Sequence, residues 1–433
     1  MLRRGGTAFP GLVAERIAPG LLAGLGGQLE AAVLVTGTNG KTTTARLLAS
    51  ILRQAGRDVV ANREGSNLTR GILGTLLGRS SYAGTLDAGL LGLFETDEAT
   101  LPAATAALGP AAIVFLNLFR DQLDRYGEVD SVAAAWRRAI ASAPPGCTLV
   151  LNADDPSVAD LAREWEGPVH WFGLDAPDLA GDRGAFDARW CGVCGADYRY
   201  HHRYFAHLGD WACDGCGRSR PSPDTSAAAL TLDGHGTAIE VEGLGSLTTP
   251  LAGLYNAWNT LAAVAAARVL GADREAIGRG LAAAAPAFGR QELVVAGGRR
   301  LNLMLVKNPA GANQVLRYLE TLPGPLHFAF LLNDRHADGQ DVSWIWDVDF
   351  EGLAGRLATC CAGGDRGADA ALRLRYAGLA GVQLLPPNPP AALEALLAAT
   401  PASATMNVIL TYTALLDLRR ALARLGAAGS RYS

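Results

Sequence analysis

The chain has 433 residues, of which 49% are hydrophobic and 18% are charged, and its formal net charge is −4. This length predicts about two or three domains, and the charge balance lacks the basic footprint of a nucleic-acid-binding protein. No apolar run reaches the roughly 20 residues that span a bilayer. Glu15 and Arg16 interrupt any secretory apolar core near the start. We therefore expect a cytoplasmic protein, in which residues 8–28 could also form an amphipathic contact with a membrane surface.

Strand-like and helix-like segments alternate along the first part of the chain. Residues 31–50, AAVLVTGTNGKTTTARLLAS, predict a buried strand, a glycine-containing turn and a helix. Further strands are predicted at VVAN (59–62), LGLFET (91–96), AAIVFLNL (111–118) and CTLVLNADD (147–155), with a helix at 131–143. This alternation predicts an α/β fold with a mostly parallel sheet and helices on both faces.

The second part of the chain begins with a change of composition. Residues 183–224 are rich in Cys, His, Tyr and Arg and predict an inserted module, which is followed by a hairpin and by helices at 256–270 and 273–284. Alternation then restarts with the strands RRLNLMLV, HFAFLLND, LATCCAG and VQLLPPNPP and with helices at 311–321, 351–357 and 367–377. We expect an N-terminal segment (1–30), a central domain (31–288) that contains the insertion, and a smaller Rossmann-like C-terminal α/β domain (289–433).

A phosphate-binding loop is predicted between the first strand and the first helix after it. Its candidate residues for binding a nucleotide are Gly37, Thr38, Asn39, Gly40, Lys41, Thr42 and Thr43. Backbone N–H groups freed by small residues, a helix N-terminus and a lysine are what a phosphate cradle needs. The chain has 36 arginines but only two lysines, Lys41 and Lys307, so we expect these two positions to require a compact ammonium group.

The loop GTNGKTTT resembles that of the Mur ligases and folylpolyglutamate synthetases, and further fragments resemble the family in the same order. These are ETDE (95–98), DQLDRYGE (121–128), NADDP (152–156), LYNAWNTLAA (254–263), GRQE (289–292) and KNPAG (307–311). The resemblance implies an α/β fold with a Mur-ligase-type central P-loop domain. It also implies an enzyme that uses ATP and Mg²⁺ to phosphorylate a carboxylate, which an amine then attacks.

The resemblance assigns roles to individual residues of this sequence. Glu95 is similar to the carboxylate that binds a metal ion and joins Lys41 as a candidate catalytic residue. Asn259 resembles the asparagine near the nucleotide, and Arg290 resembles an arginine that contacts the nucleotide from the domain hinge. Asn152 and Asp155 occupy the positions that hold the base and the ribose.

Several departures from an ordinary Mur ligase bear on the substrate. About 30 residues precede the first strand, which leads us to expect an acceptor other than a soluble UDP-linked precursor. Gln122 replaces a histidine of the family, so we expect one Mg²⁺ and not two. Lys41 and Lys307 belong to other motifs, which leaves no candidate for a carbamoylated lysine. Met304 stands where the family has an aspartate that orients an incoming amino acid, and this favours a smaller nucleophile such as ammonia.

In these departures the chain resembles one subfamily of the Mur ligases, the synthetase subunits that amidate lipid II at the inner face of the membrane. The resemblance implies ATP-dependent amidation of the α-carboxylate of D-glutamate in the lipid II stem peptide, which gives D-isoglutamine for peptidoglycan. It also implies a heterodimer with a GatD-like glutamine amidotransferase. No cysteine of this sequence lies in a GxCxG-like elbow, so if glutamine is the nitrogen source a second protein must supply the nucleophilic cysteine. The alternatives are an amino acid ligase of the Mur or folylpolyglutamate synthetase kind, and a zinc-ribbon NTPase that binds nucleic acid.

Four cysteines have the spacing of a metal site. Cys191, Cys194, Cys213 and Cys216 form C-x₂-C-x₁₈-C-x₂-C, which predicts a structural zinc ribbon with all four ligands supplied by protein. The aromatic, Arg and His residues between the pairs are also compatible with nucleic acid, but we expect no such partner because the chain is acidic overall.

A polar cluster lies in LLNDRHADGQDVSW (331–344), after a predicted strand of the C-terminal domain. The resemblance places Asp341 at the partner interface, where it would orient a histidine of the GatD-like subunit and complete a catalytic triad. Such a role asks only for a carboxylate that holds an imidazole in one tautomer. We expect Asp334 and Asp338 to shape the loop and His336 to have no role in the reaction.

Overall fold

The computed structural model describes residues 9–62, 66–120, 128–179, 181, 188–232, 236–284 and 290–426, with the side chains of residues 128 and 290 excepted. These residues form a nine-stranded sheet, a six-stranded sheet and a two-stranded hairpin, the last made of β7 (Tyr198–Phe205) and β8 (Leu208–Cys213). Residues 121–127 lie outside the described ranges, so the prediction for Gln122 stays a prediction.

The nine-stranded sheet forms the central part of the molecule. Its strands are β1 (Ala31–Thr36), β2 (Asp58–Ala61), β3 (Leu90–Glu95), β4 (Ala112–Phe115), β5 (Thr148–Asn152), β6 (Val169–Leu174), β9 (Thr225–Leu232), β10 (Thr237–Val241) and β11 (Gly245–Thr249). They lie in the order β11-β10-β9-β6-β5-β4-β1-β3-β2. Neighbouring strands from β2 to β9 are parallel, whereas β9, β10 and β11 form an antiparallel meander.

Helices cover both faces of this sheet. They are α3 (Lys41–Gln54), α4 (Thr69–Leu77), α5 (Leu101–Leu108), α6 (Glu128–Ala141), the short α7 (Pro156–Ala159), α8 (Leu254–Val269) and α9 (Arg274–Ala282). Alternate residues of β1 enter different apolar clusters, with Val33 and Val35 in one and Leu34 in the other. A strand covered on both faces explains the uninterrupted apolar run that predicted it.

The C-terminal part has a separate sheet. Its strands are β12 (Arg290–Ala296), β13 (Arg299–Leu305), β14 (Leu326–Leu331), β15 (Leu357–Gly363), β16 (Val382–Leu384) and β17 (Thr405–Leu410), in the order β12-β13-β17-β14-β15-β16. Only β12 is antiparallel to its neighbour. The helices are α10 (Pro309–Thr321), α11 (Gly367–Tyr376), α12 (Pro389–Ala398) and α13 (Tyr412–Arg424).

One predicted helix is wrong. Residues 351–357 do not form an α-helix, because a short 3-10 helix at Phe350–Leu353 buries Phe350 and Leu353 and strand β15 begins at Leu357. The fold class is otherwise confirmed as α/β with mostly parallel sheets. The domain boundaries at residues 31 and 289, and the limits 183 and 224 of the insertion, remain our proposal.

Two helices precede the central sheet, α1 (Phe9–Ile17) and α2 (Leu21–Gly26). Helix α1 packs closely on α4, since a Cβ atom at Gly11 would lie 1.8 Å from the carbonyl oxygen of Arg70. Its other side exposes Phe9, Val13 and Ile17, which are 61%, 40% and 79% accessible. Within the described ranges, no helix combines the length and apolar character needed to cross a bilayer.

Candidate active site

The predicted phosphate loop joins β1 to α3 and needs glycine at two positions. Gly37 has φ 141° and Gly40 has φ 92°, both in the region that L-residues rarely adopt. A Cβ at Gly37 would lie 2.8 Å from Leu116 Cβ, and one at Gly40 would lie 2.1 Å from Asn259 Oδ1. The loop therefore presents its backbone at the N-terminus of α3, which is the arrangement that binds phosphate.

Asn117, which the sequence interpretation missed, fixes the shape of this loop. Its backbone carbonyl accepts a hydrogen bond from Thr38 N at 3.0 Å, and its Oδ1 accepts one from Asn39 N at 2.9 Å. Its Nδ2 donates to the Asn39 carbonyl at 3.0 Å. Its position just beyond β4 could have indicated this role, because the carboxyl ends of parallel strands often carry binding residues.

Lys41 and Thr42 each meet a carboxylate from the segment that begins at the end of β3. Thr42 Oγ1 donates to Glu95 Oε2 at 2.7 Å, so the structure brings these two predicted residues together. Lys41 Nζ lies 2.7 Å from Glu98 Oε1 and also donates to the Gly37 carbonyl. Glu98 was not among the predicted site residues, although it lies inside the ETDE motif.

Glu98 is the electrostatic partner of both lysines. Burial by itself raises the pKa of Glu98, but the charges of Lys41 and Lys307 lower it, and the net pKa lies below its usual value. The pKa of Asp97 is raised, first by burial and then by the neighbouring charge of Glu98. Glu98 is therefore an ionised carboxylate that holds Lys41 beside the phosphate loop.

A cleft opens beside the loop. Asn39, Gly40, Thr43, Asn117 and Asn259 are among the polar residues of its lining. Its apolar lining comes from several other segments: Phe119 after β4, Phe205 and Leu208 of the hairpin, Trp258 of α8, Met304 and Leu305 of β13, and Ala310 and Val315 of α10. Asn259 thus lines the cleft beside the phosphate loop, and its contact with a nucleotide remains a prediction.

The structure does not bring Asn152 and Asp155 into this cleft. Both side chains are fully buried. Asn152 Nδ2 donates to the Leu116 carbonyl at 2.9 Å, and Asp155 caps α7 and accepts a hydrogen bond from Leu118 N at 2.8 Å. Their described contacts shape the loops around the cleft, and contact with base or ribose remains a prediction. The side chain of Arg290 lies outside the described residues.

The four cysteines converge at the base of the hairpin formed by β7 and β8. Cys191 Sγ lies 3.7 Å from Cys216 Sγ, Cys194 Sγ lies 3.4 Å from Cys213 Sγ, and all four sulfur atoms lie within 4.8 Å of one another. A tetrahedron with Zn–S bonds of about 2.3 Å has edges of roughly 3.8 Å. The geometry therefore fits a tetrahedral thiolate site.

The two cysteine pairs adopt the same backbone turn. Cys191 N donates to Ala196 O and Cys213 N donates to Arg218 O, both at 2.7 Å. Burial alone raises the pKa of Cys191, but hydrogen bonds from the N–H groups of Cys194 and Val193 and from the side chains of Cys216 and Tyr198 lower it to about 6. Such N–H groups stabilise thiolates, the form that binds metal.

We expect Cys213→Ser to reduce bound zinc from about one ion per chain to almost none, since three thiolates leave the tetrahedron incomplete. The thermal unfolding midpoint should fall as well. Metal analysis of the purified protein and a thermal melt measure both effects. Cys147→Ala is the matched control, because Cys147 is a buried thiol outside the cluster, and full loss of zinc in this control would contradict the assignment.

The cluster after β14 separates into structural and exposed carboxylates. Asp338 is buried, and its Oδ1 accepts a hydrogen bond from Thr413 N at 2.7 Å, which ties the loop to α13. Asp334 pairs with Arg366 at 2.9 Å. Asp341 is partly exposed, and its Oδ1 accepts a hydrogen bond from Ser343 N at 2.7 Å. Hydrogen bonds from Ser343 lower the pKa of Asp341, which is therefore ionised at neutral pH.

Comparison with known proteins agrees with this geometry. Residues 35–188 match the family model "Mur ligase middle domain". The fold is similar to that of a pseudomurein peptide ligase type C from Methanothermus fervidus, with TM-score 0.68 and 20% identity over 91% of this chain and 79% of that chain. It is also similar to a Mycobacterium tuberculosis folylpolyglutamate synthase, with TM-score 0.62 and 15% identity over 98% and 96%. The fold and the phosphate loop thus define an ATP-dependent ligase of the Mur type.

Relatives of higher identity narrow the assignment. Residues 305–415 match the family model "MurT ligase C-terminal". The chain is 35% identical to the MurT subunit of a glutamine-hydrolysing lipid II isoglutaminyl synthase from Streptococcus pneumoniae, over 96% of this chain and 92% of that protein. Identity to the corresponding Staphylococcus aureus subunit is 31% over 86% and 83%. The chain therefore belongs to the MurT family, and the predicted subfamily resemblance is confirmed.

Proposed function

We propose that this chain is the synthetase subunit of a glutamine-dependent amidoligase. It converts the α-carboxylate of D-glutamate in the lipid II stem peptide into the amide of D-isoglutamine. The observation that carries the proposal is the match along 96% of the chain to a relative named as the MurT subunit of lipid II isoglutaminyl synthase. The Thr42–Glu95 and Lys41–Glu98 contacts at the phosphate loop support the use of ATP.

The proposed reaction has two steps. A carboxylate oxygen of the acceptor attacks the γ-phosphorus of ATP, the bond to the β-phosphate oxygen breaks, and ADP leaves. The nitrogen of ammonia then attacks the acyl carbon of the resulting acyl phosphate. Inorganic phosphate leaves, the nitrogen loses a proton, and the amide forms.

In this scheme the phosphate loop binds and orients the nucleotide. The backbone from Gly37 to Gly40 and the N-terminus of α3 stabilise the phosphate oxygens, and Lys41 supplies the ammonium charge that phosphoryl transfer requires. Thr42 Oγ1 and Glu95 Oε2 are oxygen donors of the kind that Mg²⁺ prefers. Magnesium bound there would neutralise phosphate charge.

Ammonia is the nucleophile that the residue at position 304 favours. Met304 stands where related ligases place an aspartate, and it is 1% exposed. A thioether offers no charge for the ammonium group of an incoming amino acid. A GatD-like glutamine amidotransferase subunit would supply the ammonia, and Asp341 would orient the histidine of that subunit.

Lipid II places the reaction at the inner face of the membrane. The exposed ridge of Phe9, Val13 and Ile17 on α1 supports this location, because these side chains recur every fourth residue on one side of the helix. A helix with such a ridge suits the interfacial region of a bilayer. Arg16 lies exposed beside the ridge and matches an anionic surface.

The proposal predicts which nitrogen donors allow the enzyme to release ADP. With ATP and lipid II, we expect the isolated chain to release ADP when ammonia is added and not when free amino acids are added. Glutamine should become a donor only when the GatD-like subunit is present. Coupled ADP assays and mass spectrometry of the lipid product measure this.

Two results would contradict the proposal. ADP release with amino acids but not with ammonia would indicate an amino acid ligase. ATP hydrolysis that is stimulated by DNA or RNA and is indifferent to lipid II would indicate a nucleic-acid-dependent NTPase. Omission of ATP, and replacement of lipid II by its already amidated form, are the matched controls.

A further inference from the structure

The hairpin that carries the four cysteines extends into the protein interior. Its tip, residues 204–208, has exposures of 0% to 3%, whereas Cys194 and Cys216 at its base are exposed. Ala206 adopts φ 49°, which turns the chain sharply between the two strands. The module is therefore inserted between other parts of the molecule and does not merely lie on the surface.

The hairpin is anchored to the loop that follows β5. Gly209 N donates to Asp154 O and Trp211 Nε1 donates to Ala153 O, both at 3.0 Å. His207 Nε2 lies 3.3 Å from Asp155 Oδ2, and that same oxygen accepts the hydrogen bond from Leu118 N. Since Leu118 directly follows Asn117, these contacts connect the tip to the residue that shapes the phosphate loop.

A buried carboxylate links the base of the module to the cleft. Asp154 is fully buried and accepts hydrogen bonds from Arg220 Nε and Trp258 Nε1, both at 2.7 Å. Arg220 follows the second cysteine pair in the chain, and Trp258 precedes Asn259 on α8 and lines the cleft. Hydrogen bonds therefore connect the base of the module, through Asp154, to a residue that lines the cleft.

The tip also contacts the C-terminal part. Arg317 on α10 donates from Nη1 to the Tyr204 carbonyl and from Nη2 to the Leu179 carbonyl, the latter at 3.2 Å. Helix α10 supplies Ala310 and Val315 to the cleft lining. The cleft is thus enclosed by the phosphate-loop region, by the hairpin tip and by α10.

Two side chains of the tip, Phe205 and Leu208, line the cleft directly. The ring centroids of Phe205 and Phe119 lie 6.2 Å apart in an edge arrangement, which makes this part of the cleft apolar and aromatic. The phosphate loop supplies polar groups to the same cleft. Such a combination suits a ligand with a planar apolar group joined to an anionic chain, as in a nucleoside triphosphate.

We propose that the four-cysteine hairpin forms the base-binding wall of the ATP pocket. Phe205 and Leu208 are positioning residues for the nucleotide base, and metal bound at the base of the hairpin maintains nucleotide affinity. The proposal rests on the proposed function only in taking ATP as the nucleotide. It gives the metal module a role in binding a substrate.

The experiment measures nucleotide affinity by calorimetric titration, without lipid II and without a partner subunit. Phe205→Ala and Phe205→Leu should each weaken ADP binding, the alanine variant by about tenfold, because stacking and apolar contact with the base are lost. Leu208→Ala should weaken ADP binding in the same direction. Inorganic tripolyphosphate has no base, and its affinity should stay unchanged in all three variants.

His201→Ala is the matched control, because His201 lies on the same strand, is exposed and pairs with Asp210. Thermal melts and zinc analysis identify variants that fail to fold. Only variants that keep the native unfolding midpoint and the native zinc content are compared. Unchanged ADP affinity in folded Phe205 and Leu208 variants would overturn the proposal. An equal loss of tripolyphosphate affinity would overturn it too, since it would indicate a general collapse of the cleft.

The metal is tested by the same titration. Cys194→Ser removes an exposed ligand at the end of the module remote from the tip, and we expect loss of zinc together with weaker ADP binding. Full ADP affinity in a zinc-free protein would overturn the role of the metal. These measurements do not depend on amidation. If the variants lose ADP affinity as expected but the protein does not amidate lipid II, only the proposed function is contradicted.

Discussion

Asp341→Asn is expected to lower glutamine-dependent amidation by about 10⁴-fold and to spare ammonia-dependent amidation, as expected for loss of a triad aspartate. The Asp341 carboxylate is ionised and partly exposed at the carboxyl end of β14, where a partner subunit could reach it. Asparagine keeps the shape of the side chain but cannot supply the charge that stabilises an imidazolium. Assays of the complex with each nitrogen donor measure the difference.

Asp347→Asn provides the matched control for Asp341. Asp347 is an exposed carboxylate that lies six positions further on, and its change should leave both activities intact. Equal loss of the glutamine and ammonia reactions in Asp341→Asn would refute a role in the partner's triad. The stability of the complex should be measured alongside, because a dissociated complex would lose glutamine use for a different reason.

Lys41→Met should lower ATP use with either nitrogen donor by at least about 100-fold, because the ammonium charge that the proposed phosphoryl transfer requires is removed. Lys41→Arg should restore little activity, since a planar guanidinium does not replace a compact ammonium. ADP release and nucleotide affinity are the measurements. Near-normal turnover in Lys41→Met would contradict the assignment.

The experiment on Lys41 needs a control variant in which the Glu98 carboxylate is also neutralised. Lys41→Met leaves the largely buried Glu98 carboxylate without its closest cation, so the single variant should also lose stability. Lys41→Met combined with Glu98→Gln removes both charges and should regain stability but not activity. Because the native pKa of Glu98 is lowered from 4.5, the pair stabilises the native protein above that pH, and this contribution is lost as the pH falls through the lowered value.

Local signals in the sequence were enough for the parts of the site that are contiguous in the chain. The phosphate loop needs glycines and a lysine at fixed spacing, and the two cysteine pairs show the spacing of a metal site. Both features can therefore be recognised from the order of the residues alone. The positions of most parallel strands were predicted for the same reason, since buried strands are continuous apolar runs.

The remaining features depend on contacts between distant segments. Asn117 acts on a loop about 80 positions earlier, and Phe205 reaches the cleft only because β7 and β8 carry it inward. Glu98 was missed because its role is defined by the proximity of Lys41 and Lys307. A helix is predicted at residues 351–357, but the chain forms a 3-10 helix that ends at Leu353 and then enters β15 at Leu357.

The distribution of lysine has a practical consequence for chemical labelling. The chain contains two side-chain amines among its 38 basic residues, and the charges of both lower the pKa of Glu98. Within these 433 residues, a reagent that acylates side-chain amines therefore has two targets, and both lie close enough to Glu98 to lower its pKa. Protection of these two lysines by nucleotide would report occupancy of the proposed ATP site without an engineered residue.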